Sequence, residues 1–362
     1  MEGLEMLNLF SGTYKNKNVL VTGHTGFKGS WLALWLEQMG ANVIGYSLEP
    51  PTQPNHFDLL DFNINSVIGN IKDLESLKKT FSQYCPDIVF HLAAQPLVRQ
   101  SYKEPVDTFM TNVIGTVNIL EACRQTKSVK AIVNVTSDKC YENREWVWGY
   151  RENDPMGGFD PYSASKGCSE LATSCYRNSF GGHQLLIASA RAGNVIGGGD
   201  WGVDRLVPDM CKKAVVDQTT EIRNPNATRP WQHVLEPLSG YLLLGQKMLE
   251  GHPQIAGAWN FGPSDTGNLS VRDVAEKLQQ YWRFNIKFAA TSHDLHEARL
   301  LKLDCSKAYA KLKWRPVWNN EQMLKATAEW YKEFYENNHI LTHQQLATYI
   351  DDAKNIQIIW TG

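Results

Sequence analysis

Tyr162 and Lys166 are four residues apart in a segment with a helical pattern, so both side chains are expected on one helix face. A phenol with its ordinary pKa near ~10 is a poor base at neutral pH, but a nearby cation stabilises the phenolate. Lys166 would supply one such charge, and a bound oxidised nicotinamide would supply another. The spacing is also typical of an exposed helix pair, so it does not establish catalysis alone.

A hydroxyl group is expected close to this pair. Ser137 follows a β-branched run at residues 131–136, which has the pattern of a buried strand. Active sites of parallel sheets form beyond the carboxyl ends of their strands. Ser137, Tyr162 and Lys166 together therefore indicate a candidate catalytic site at this edge of the sheet.

A glycine turn at residues 22–29 is the candidate site for that nicotinamide cofactor. Gly23, Gly26 and Gly29 lie three apart, between a short apolar strand at residues 19–21 and a helix that runs to Gly40. Such a turn brings the backbone close to a pyrophosphate, which then meets the free N–H groups of the helix N-terminus. A glycine-rich loop without a ligand is the alternative, and the strand and helix around the turn favour dinucleotide binding.

The tip of the second strand, residues 45–49, favours NAD only modestly. The acid that usually contacts the adenine ribose is missing from its place, and Glu49 lies slightly late. No Arg or Lys follows Tyr46 before Lys72, so a 2′-phosphate has no obvious partner. Asn70, at the end of the third strand, is a candidate for the adenine edge, and an ordinary polar strand end is equally compatible.

The order of elements predicts a Rossmann-type, doubly wound parallel sheet in an α/β chain. Predicted strands alternate with helices; the strands are residues 19–21, 42–46, 66–69, 87–92, 131–136 and 184–190, and the helices are 74–84, 105–125 and 162–180. The expected NAD-binding domain is 1–190, rejoined by about 230–262. Residues 191–229 and 263–345 would form a smaller mixed α/β substrate domain. Residues 1–17 are expected to be an arm, and 346–362 a C-terminal tail.

Composition excludes several function classes. The 362 residues carry a formal net charge of -2 and no basic stripe, which disfavours a nucleic-acid partner. No apolar run approaches the ~20 residues that span a bilayer, and the acidic start lacks a basic signal region, so we expect a cytoplasmic protein without a membrane partner. Seven scattered cysteines without a C-x-x-C pair predict neither disulfides nor zinc. His293 and His296 are interpreted as a polar stretch rather than metal ligands.

Several motifs together resemble the extended short-chain dehydrogenase/reductases that act on nucleotide sugars, over roughly residues 17–331. They are TGHTGFKG at 22–29, HLAAQ at 91–95, Ser137 and YSASK at 162–166. Within that family the chain is similar to the branch of 4,6-dehydratases that acts on CDP-glucose. The motifs of that branch are SDKCYEN at 137–143, ARAGNVIGGGDW at 190–201, RLVPD at 205–209 and RPWQHV at 229–234.

The resemblance implies an NAD-dependent loss of water from CDP-D-glucose to give CDP-4-keto-6-deoxy-D-glucose. Hydride would pass from C4 to NAD, water would leave across C5 and C6, and the hydride would return to C6. Relatives form homodimers or homotetramers through helices near 112–124 and 162–180. The alternatives are a dTDP-glucose or GDP-mannose 4,6-dehydratase, a 4-epimerase, and a catalytically silent dinucleotide sensor.

The resemblance also implies the site residues, with one departure from the family pattern. Relatives carry Glu where this chain has Lys139, so the base that removes the C5 proton is open. The implied catalytic residues are Ser137, Asp138, Lys139, Tyr162 and Lys166. The implied cofactor contacts are Gly23, His24, Gly26, Phe27, Gly29, Asn70, Ile71, Leu92, Ala93, Ala94, Tyr162 and Lys166. The implied substrate contacts are Gln95, Asn194, Arg205, Arg229 and Arg299.

Overall fold

The computed structural model describes residues 6–182, 184–264, 268–289 and 300–362. Its centre is a seven-stranded sheet in which all neighbouring strands are parallel, in the order β11-β6-β5-β4-β1-β2-β3. The strands are β1 Asn18–Thr22, β2 Asn42–Ser47, β3 Asn65–Ile68, β4 Ile88–His91, β5 Ala131–Val135, β6 Leu186–Ala192 and β11 Ala258–Phe261. The predicted Rossmann-type sheet is confirmed.

The central strands are apolar on both faces because helices cover both faces of the sheet. Every residue of β4, β5 and β6 is buried. The flanking helices are α1 Phe27–Gln38, α2 His56–Leu59, α3 Leu74–Tyr84, α4 Val98–Lys103, α5 Pro105–Phe109, α6 Gly115–Gln125, α7 Pro161–Phe180 and α9 Leu235–Leu249. β11 joins the sheet beside β6, within the stretch expected to return to it; the division into two domains stays a prediction.

Three two-stranded sheets and four further helices make up most of the remaining chain. The paired strands are β7 Val195–Ile196 with β10 Gln232–His233, β8 Thr219–Ile222 with β13 Asn285–Phe288, and β9 Thr228–Arg229 with β12 Leu269–Ser270. The helices are α8 Leu206–Val215, α10 Val271–Leu278, α11 Asn320–Asn337 and α12 Thr342–Asn355. β7 and the loop after it follow directly from the carboxyl end of β6, which brings this part of the chain to the edge where ligands of such sheets bind.

The predicted single helix over 105–125 is wrong in detail. A five-residue π-helical turn, Met110–Ile114, separates α5 from α6. Inside it, Asn112 is buried, accepts a 2.8 Å hydrogen bond from the Gln95 N–H and donates 2.9 Å to Ser165 Oγ. The widened turn thus lets Asn112 join the loop after β4 to α7, and π-turns commonly occur at functional sites.

Described residues in the segments expected to be an arm and a tail pack into the core. The rings of Phe10 and Trp360 stack with centroids 5.3 Å apart, and Trp35 on α1 meets Trp360 edge-on at 5.5 Å. Tyr349 on α12 also stacks on Trp360, with ring centroids 5.9 Å apart. The terminal segments lack a clear hydrophobic period because a few large aromatic side chains provide their burial.

Candidate active site

A cleft of about 1130 Å³ opens at the carboxyl edge of the sheet. Its walls come from the ends of β1, β4 and β5, the start of α7 and the segment after β6. Seventeen of the twenty predicted site residues line this cleft. They are Gly23, Gly26, Phe27, Gly29, Asn70, Ile71, Leu92, Ala93, Ala94, Ser137, Asp138, Lys139, Tyr162, Lys166, Asn194, Arg205 and Arg229.

The glycine turn leaves no room for side chains. Gly23 has φ +75°, and a Cβ there would lie 2.8 Å from the backbone nitrogen of Ala93. A Cβ on Gly29 would lie 2.0 Å from the carbonyl oxygen of Gly23, so only glycine lets α1 begin this close to β1. The free N–H groups at the start of α1 therefore face the cleft, where a dinucleotide pyrophosphate fits them.

Hydrogen bonds hold the end of β4 against this turn. Thr22 Oγ1 accepts from the N–H groups of Leu92 at 3.1 Å and Ala93 at 3.2 Å. The same oxygen lies 2.7 Å from His91 Nδ1. These contacts fix the backbone that forms one wall of the cofactor part of the cleft.

Helix α7 carries Tyr162 and Lys166 on its first two turns. Asp160 caps the helix by accepting from the Ser163 N–H at 2.9 Å, and Pro161 occupies the first helical position. Tyr162 and Lys166 are both buried, and Lys166 Nζ donates 3.4 Å to the carbonyl oxygen of Val135. The cap and the backbone contact therefore fix both side chains relative to the end of β5.

Burial shifts the pKa values of Tyr162 and Lys166 in the directions that disfavour their charged forms. Burial raises the pKa of Tyr162 to about 12, while the Ser137 hydrogen bond and the Arg205 guanidinium oppose that rise. Burial lowers the pKa of Lys166 to about 8. In the protein without ligands the phenol is therefore neutral, and further positive charge is needed in the cleft to ionise it.

Asp138 begins a short 3-10 helix, Asp138–Cys140, directly after Ser137. Its side chain is 2 % exposed, and burial raises its pKa, opposed by the neighbouring Lys139 and the Ser137 hydrogen bond. Oδ1 accepts from Ser137 Oγ at 3.0 Å, whereas Oδ2 is buried and has no hydrogen-bond partner within the described part of the chain. A carboxyl group in this setting holds a proton more firmly than one in water.

The predicted substrate arginines enter the cleft from the segment after β6. Arg205 pairs with Asp200 at 2.6 Å, and Asp200 is itself anchored by its N–H to the Tyr331 hydroxyl at 3.0 Å. Arg229 is buried and contributes positive potential at Asp138. Asn194 lines the cleft, and its backbone carbonyl accepts from the Gln232 N–H at 3.0 Å.

Three predicted residues stand apart from the other seventeen. The His24 side chain turns beneath β2 and β3, where Nε2 lies 2.8 Å from Ser66 Oγ, so only its backbone remains near the turn. The Gln95 amide donates to the Leu97 carbonyl at 3.1 Å and to Thr108 Oγ1 at 2.9 Å, so it braces its own loop instead of facing the cleft. Arg299 lies outside the described residues.

Lys28 was not among the predicted site residues, yet it lines the cleft together with the glycine turn and Asp138. A signal was present, because Lys28 is the only charged residue in the first ten positions of the otherwise largely buried α1. Arg191 is another buried charge, and it bonds to Glu170 on α7 at 2.8 Å and to the Tyr141 hydroxyl at 2.7 Å. Glu170 also accepts from Thr136 at 2.5 Å, which ties α7 to the end of β5.

The described residues form neither a metal-binding cluster nor a membrane-spanning helix. No group of three or more His, Cys, Asp and Glu side chains in the described ranges has the arrangement of a metal site, and His293 and His296 lie outside those ranges. No described helix combines the length and apolarity needed to cross a bilayer.

One class of protein, the dinucleotide-dependent short-chain dehydrogenase/reductases, combines a parallel sheet with a glycine turn at β1 and a Ser-Tyr-Lys set beside the end of β5. The fold and the cleft put this chain in that class. More specifically, the chain belongs to the GDP-mannose 4,6 dehydratase family, whose model matches residues 20–327.

Individual relatives agree with that assignment. The chain is 50% identical over 337 residues to a CDP-glucose 4,6-dehydratase of Salmonella typhimurium, covering 91% of this chain and 94% of the relative. The structure of a UDP-glucose 4-epimerase from Thermotoga maritima with UDP-glucose superimposes with a TM-score of 0.76 at 25% identity, covering 87% of this chain and 99% of that one. DesIV, a dTDP-glucose 4,6-dehydratase from Streptomyces venezuelae with NAD and TYD bound, has the same fold, with a TM-score of 0.75 at 22% identity over 87% and 97% of the two chains.

Proposed function

We propose that the protein catalyses the NAD-dependent dehydration of CDP-D-glucose to CDP-4-keto-6-deoxy-D-glucose. The observation that carries this proposal is the 50% identity, over 91% of the chain, to a protein named for that reaction. The presence of Ser137, Asp138, Tyr162 and Lys166 around one cleft supports it, because these groups supply the proton transfers that the reaction needs.

The cleft residues fit NAD. The glycine cradle leaves space for a pyrophosphate against the start of α1, and Asn70 and Ile71 line the cleft at the end of β3. No lysine or arginine follows β2 before Lys72, which favours NAD over NADP. When bound, NAD supplies a hydride acceptor for C4 of the sugar and a hydride donor for C6.

Tyr162 is the proposed base for the sugar 4-hydroxyl. Its phenolate takes that proton, and Ser137 bonds the developing 4-oxygen. Arg205 and Ser137 already lower the phenol pKa against the effect of burial, and Lys166 adds positive charge one helical turn away. The Val135 carbonyl holds the Lys166 ammonium in place at 3.4 Å.

Asp138 is the proposed acid for the leaving oxygen at C6. Burial raises its pKa, which favours the protonated form, and the residue lines the cleft. A 4-epimerase eliminates no water and has no use for such an acid, so a buried Asp138 favours dehydration over epimerisation.

Lys139 is the proposed participant in removal of the C5 proton. It follows Asp138 in the same 3-10 helix, at the position where relatives carry Glu, and it lines the cleft. A lysine in this position acts as a base when it is neutral, or stabilises the enolate when it is charged. Loss of the C5 proton in either case is promoted by the ketone already formed at C4.

Positive charge in the outer cleft is proposed to hold the CDP diphosphate. Arg229 is the main candidate, since a planar guanidinium forms paired hydrogen bonds to phosphate oxygens. Arg205 and Asn194 are proposed to contact the sugar nucleotide beside it, and Arg299 is proposed as a second phosphate contact.

We also propose that the protein forms a homodimer or a homotetramer and that it is located in the cytoplasm. Exposed apolar side chains follow one face of the segment from α5 through the π-turn and continue on α7. They are Val106, Met110, Ile114 and Leu171. Apolar side chains in such a row are typical of subunit contacts. Light scattering measures the oligomeric state of a Leu171→Glu variant and so tests whether this surface joins the subunits. All seven cysteines are free, as expected in a reducing compartment.

Turnover of a panel of nucleoside-diphosphate glucoses tests the reaction and the base preference together. The purified protein with NAD should convert CDP-glucose to a product with the alkaline ultraviolet absorbance of a 4-keto-6-deoxy sugar. It should turn over dTDP-glucose, UDP-glucose and GDP-mannose at least about tenfold less efficiently, equivalent to ~1.4 kcal/mol. A preference for another nucleotide, or formation of a C4 epimer without loss of water, would contradict the proposal.

A further inference from the structure

Lys28 is the one charged side chain at the start of α1, as the second residue of the helix after Gly26. It lines the cleft and remains partly accessible from it. Its ammonium makes neither a hydrogen bond nor an ion pair with any residue that the structure describes. An unpaired cation in a largely buried position is costly, which points to a ligand group that completes its contacts.

The surroundings of Lys28 place its ammonium among the reacting groups. Asp138 and Asp200 stabilise the charge, whereas Arg205 and Lys166 oppose it. Burial lowers the pKa of Lys28 to about 8, so most of the group is still charged at neutral pH. Lys28 and Asp138 line the same cleft, and each affects the charge of the other.

Asp138 offers carboxyl oxygens, which can accept hydrogen bonds and so complement the donor-only ammonium of Lys28. Its Oδ2 atom is buried without a hydrogen-bond partner in the described chain, and a Cβ on Gly193 would lie only 3.1 Å from that oxygen. The Gly193 backbone therefore packs against Oδ2, and the room beside it is filled by Pro230. The Lys28 ammonium and the Asp138 carboxyl group nevertheless line the same cleft, and a substrate hydroxyl placed between them can bond to both.

We propose that Lys28 is a further catalytic residue, whose ammonium donates a hydrogen bond to O6 of the hexose while Asp138 protonates that oxygen. The proposal rests on the proposed function and names a residue for its water-elimination step. The C5 proton leaves to a base, its electron pair forms the C5–C6 double bond, and the C6–O6 bond breaks. O6 takes the Asp138 proton and leaves as water, so Asp138 becomes a carboxylate and Lys28 stays an ammonium.

Lys28 assists this step in two ways. Its hydrogen bond stabilises the negative charge that develops on O6 as the C6–O6 bond lengthens. Its charge also stabilises the Asp138 carboxylate that remains, since the ammonium lowers the pKa of that carboxyl group. Neither effect assists oxidation at C4, so removal of Lys28 should slow elimination selectively.

The alternative is that Lys28 binds the dinucleotide phosphates, because its backbone lies at the helix N-terminus. The two roles separate experimentally. A phosphate contact would change NAD content and affinity, whereas a contact to O6 would change only the reaction of substrates that lose the 6-hydroxyl group.

The test compares Lys28→Met and Lys28→Arg with wild type, and with Lys79→Met as a control at an exposed lysine on α3. Each protein, with NAD bound, is assayed with CDP-glucose and with CDP-6-deoxy-6-fluoroglucose, whose fluoride leaves without being protonated. Bound NAD is measured separately by release and quantification. The near-ultraviolet absorbance of reduced nicotinamide during turnover reports which step has slowed.

Lys28→Met should lower kcat for CDP-glucose by about 10²-fold, the usual effect of losing one transition-state donor. Reduced nicotinamide should accumulate, NAD content should match wild type, and the loss on the fluoro substrate should be under about tenfold. Lys28→Arg should recover part of the rate because it keeps a charged donor. Lys79→Met should behave as wild type.

Three results would overturn the role of Lys28. They are an unchanged rate, an equal loss on both substrates, and a fall in NAD content that accounts for the lost rate. A wild-type protein that is inactive with CDP-glucose but active with another nucleotide glucose would instead contradict the proposed function, and the same pair of substrates would then be built on that nucleotide.

Discussion

The Ser137 hydroxyl at the end of β5 lowers the pKa of the Tyr162 phenol on the first turn of α7. This effect opposes the larger effect of burial, which raises that pKa. The neighbouring Asp138 carboxyl oxygen lies 3.0 Å from the same hydroxyl. Ser137 therefore connects the proposed base of the first proton transfer to the proposed acid of the second.

Ser137→Ala should move the pH profile of the enzyme. Without the hydrogen bond the pKa of Tyr162 rises, so the phenolate fraction at any given pH falls and the acid limb of kcat/KM moves to higher pH. A hydrogen bond to a charged group contributes about 1.5 kcal/mol, which corresponds to about one pH unit. Ser137→Thr keeps the hydroxyl group, so the acid limb of its kcat/KM profile should stay at the wild-type pH. If the acid limb of Ser137→Ala stays at the wild-type pH, Ser137 does not control the pKa of Tyr162.

Tyr162→Phe should abolish most of the activity without unfolding the protein. The substitution removes the proposed base and keeps the buried ring, so kcat should fall by about 10³-fold while the melting temperature and NAD content stay near wild type. Tyr309→Phe, at an exposed tyrosine, is the matched control. Retention of more than about a tenth of the activity in Tyr162→Phe would require another base for the 4-hydroxyl.

Lys139→Met should slow exchange of the C5 proton with solvent. The measurement follows deuterium from heavy water into C5 of the sugar, together with accumulation of reduced nicotinamide. If Lys139 is the base, the exchange rate falls with turnover, and Lys139→Glu, which places a carboxylate base at this position, should recover part of both. Normal exchange in Lys139→Met would show that the C5 proton leaves to another group.

Glu236 on α9 should make stability decrease with rising pH. The buried carboxyl group accepts from the Trp318 N–H at 2.7 Å and the Tyr349 hydroxyl at 2.8 Å, which ties α9 to α12. Burial raises its pKa from 4.5 to about 7, so the folded protein holds a proton that the unfolded chain releases. This stabilisation is complete below the unfolded pKa and is lost as pH rises through about 7, a change of about 3 kcal/mol.

Urea unfolding from about pH 4.5 to about pH 8 measures this effect. Glu236→Gln should be less stable than wild type at the acid end and should lose the part of the pH dependence that Glu236 contributes. Parallel pH profiles for the two proteins would contradict this account of Glu236.

Local sequence was sufficient to predict the parts of the site that one segment forms alone. Gly23 and Gly29 lie between a buried strand and a helix that are contiguous in the chain, and Tyr162 and Lys166 share one helix. The same is true of Asp160 and Pro161, which start that helix. These features depend on contacts within about a dozen residues, so the pattern of residue types carries them.

Other features depend on contacts between distant segments, which spacing does not reveal. Lys28 gains its setting only when Asp138, Asp200 and Arg205 approach the start of α1. The His24 side chain turns away because Ser66, 42 residues later, provides its partner. The π-turn around Asn112 likewise forms around the Gln95 backbone, and no helical periodicity predicts it.

The central claim is that hydride moves within one sugar, from C4 to C6, with no net oxidation. Incubation of the wild-type protein with CDP-glucose that carries deuterium at C4 tests this directly, with the product analysed by NMR and mass spectrometry. The account predicts a 4-keto-6-deoxy product with one deuterium atom on C6. A product without deuterium at C6, or a C4 epimer that still carries the label at C4, would contradict it.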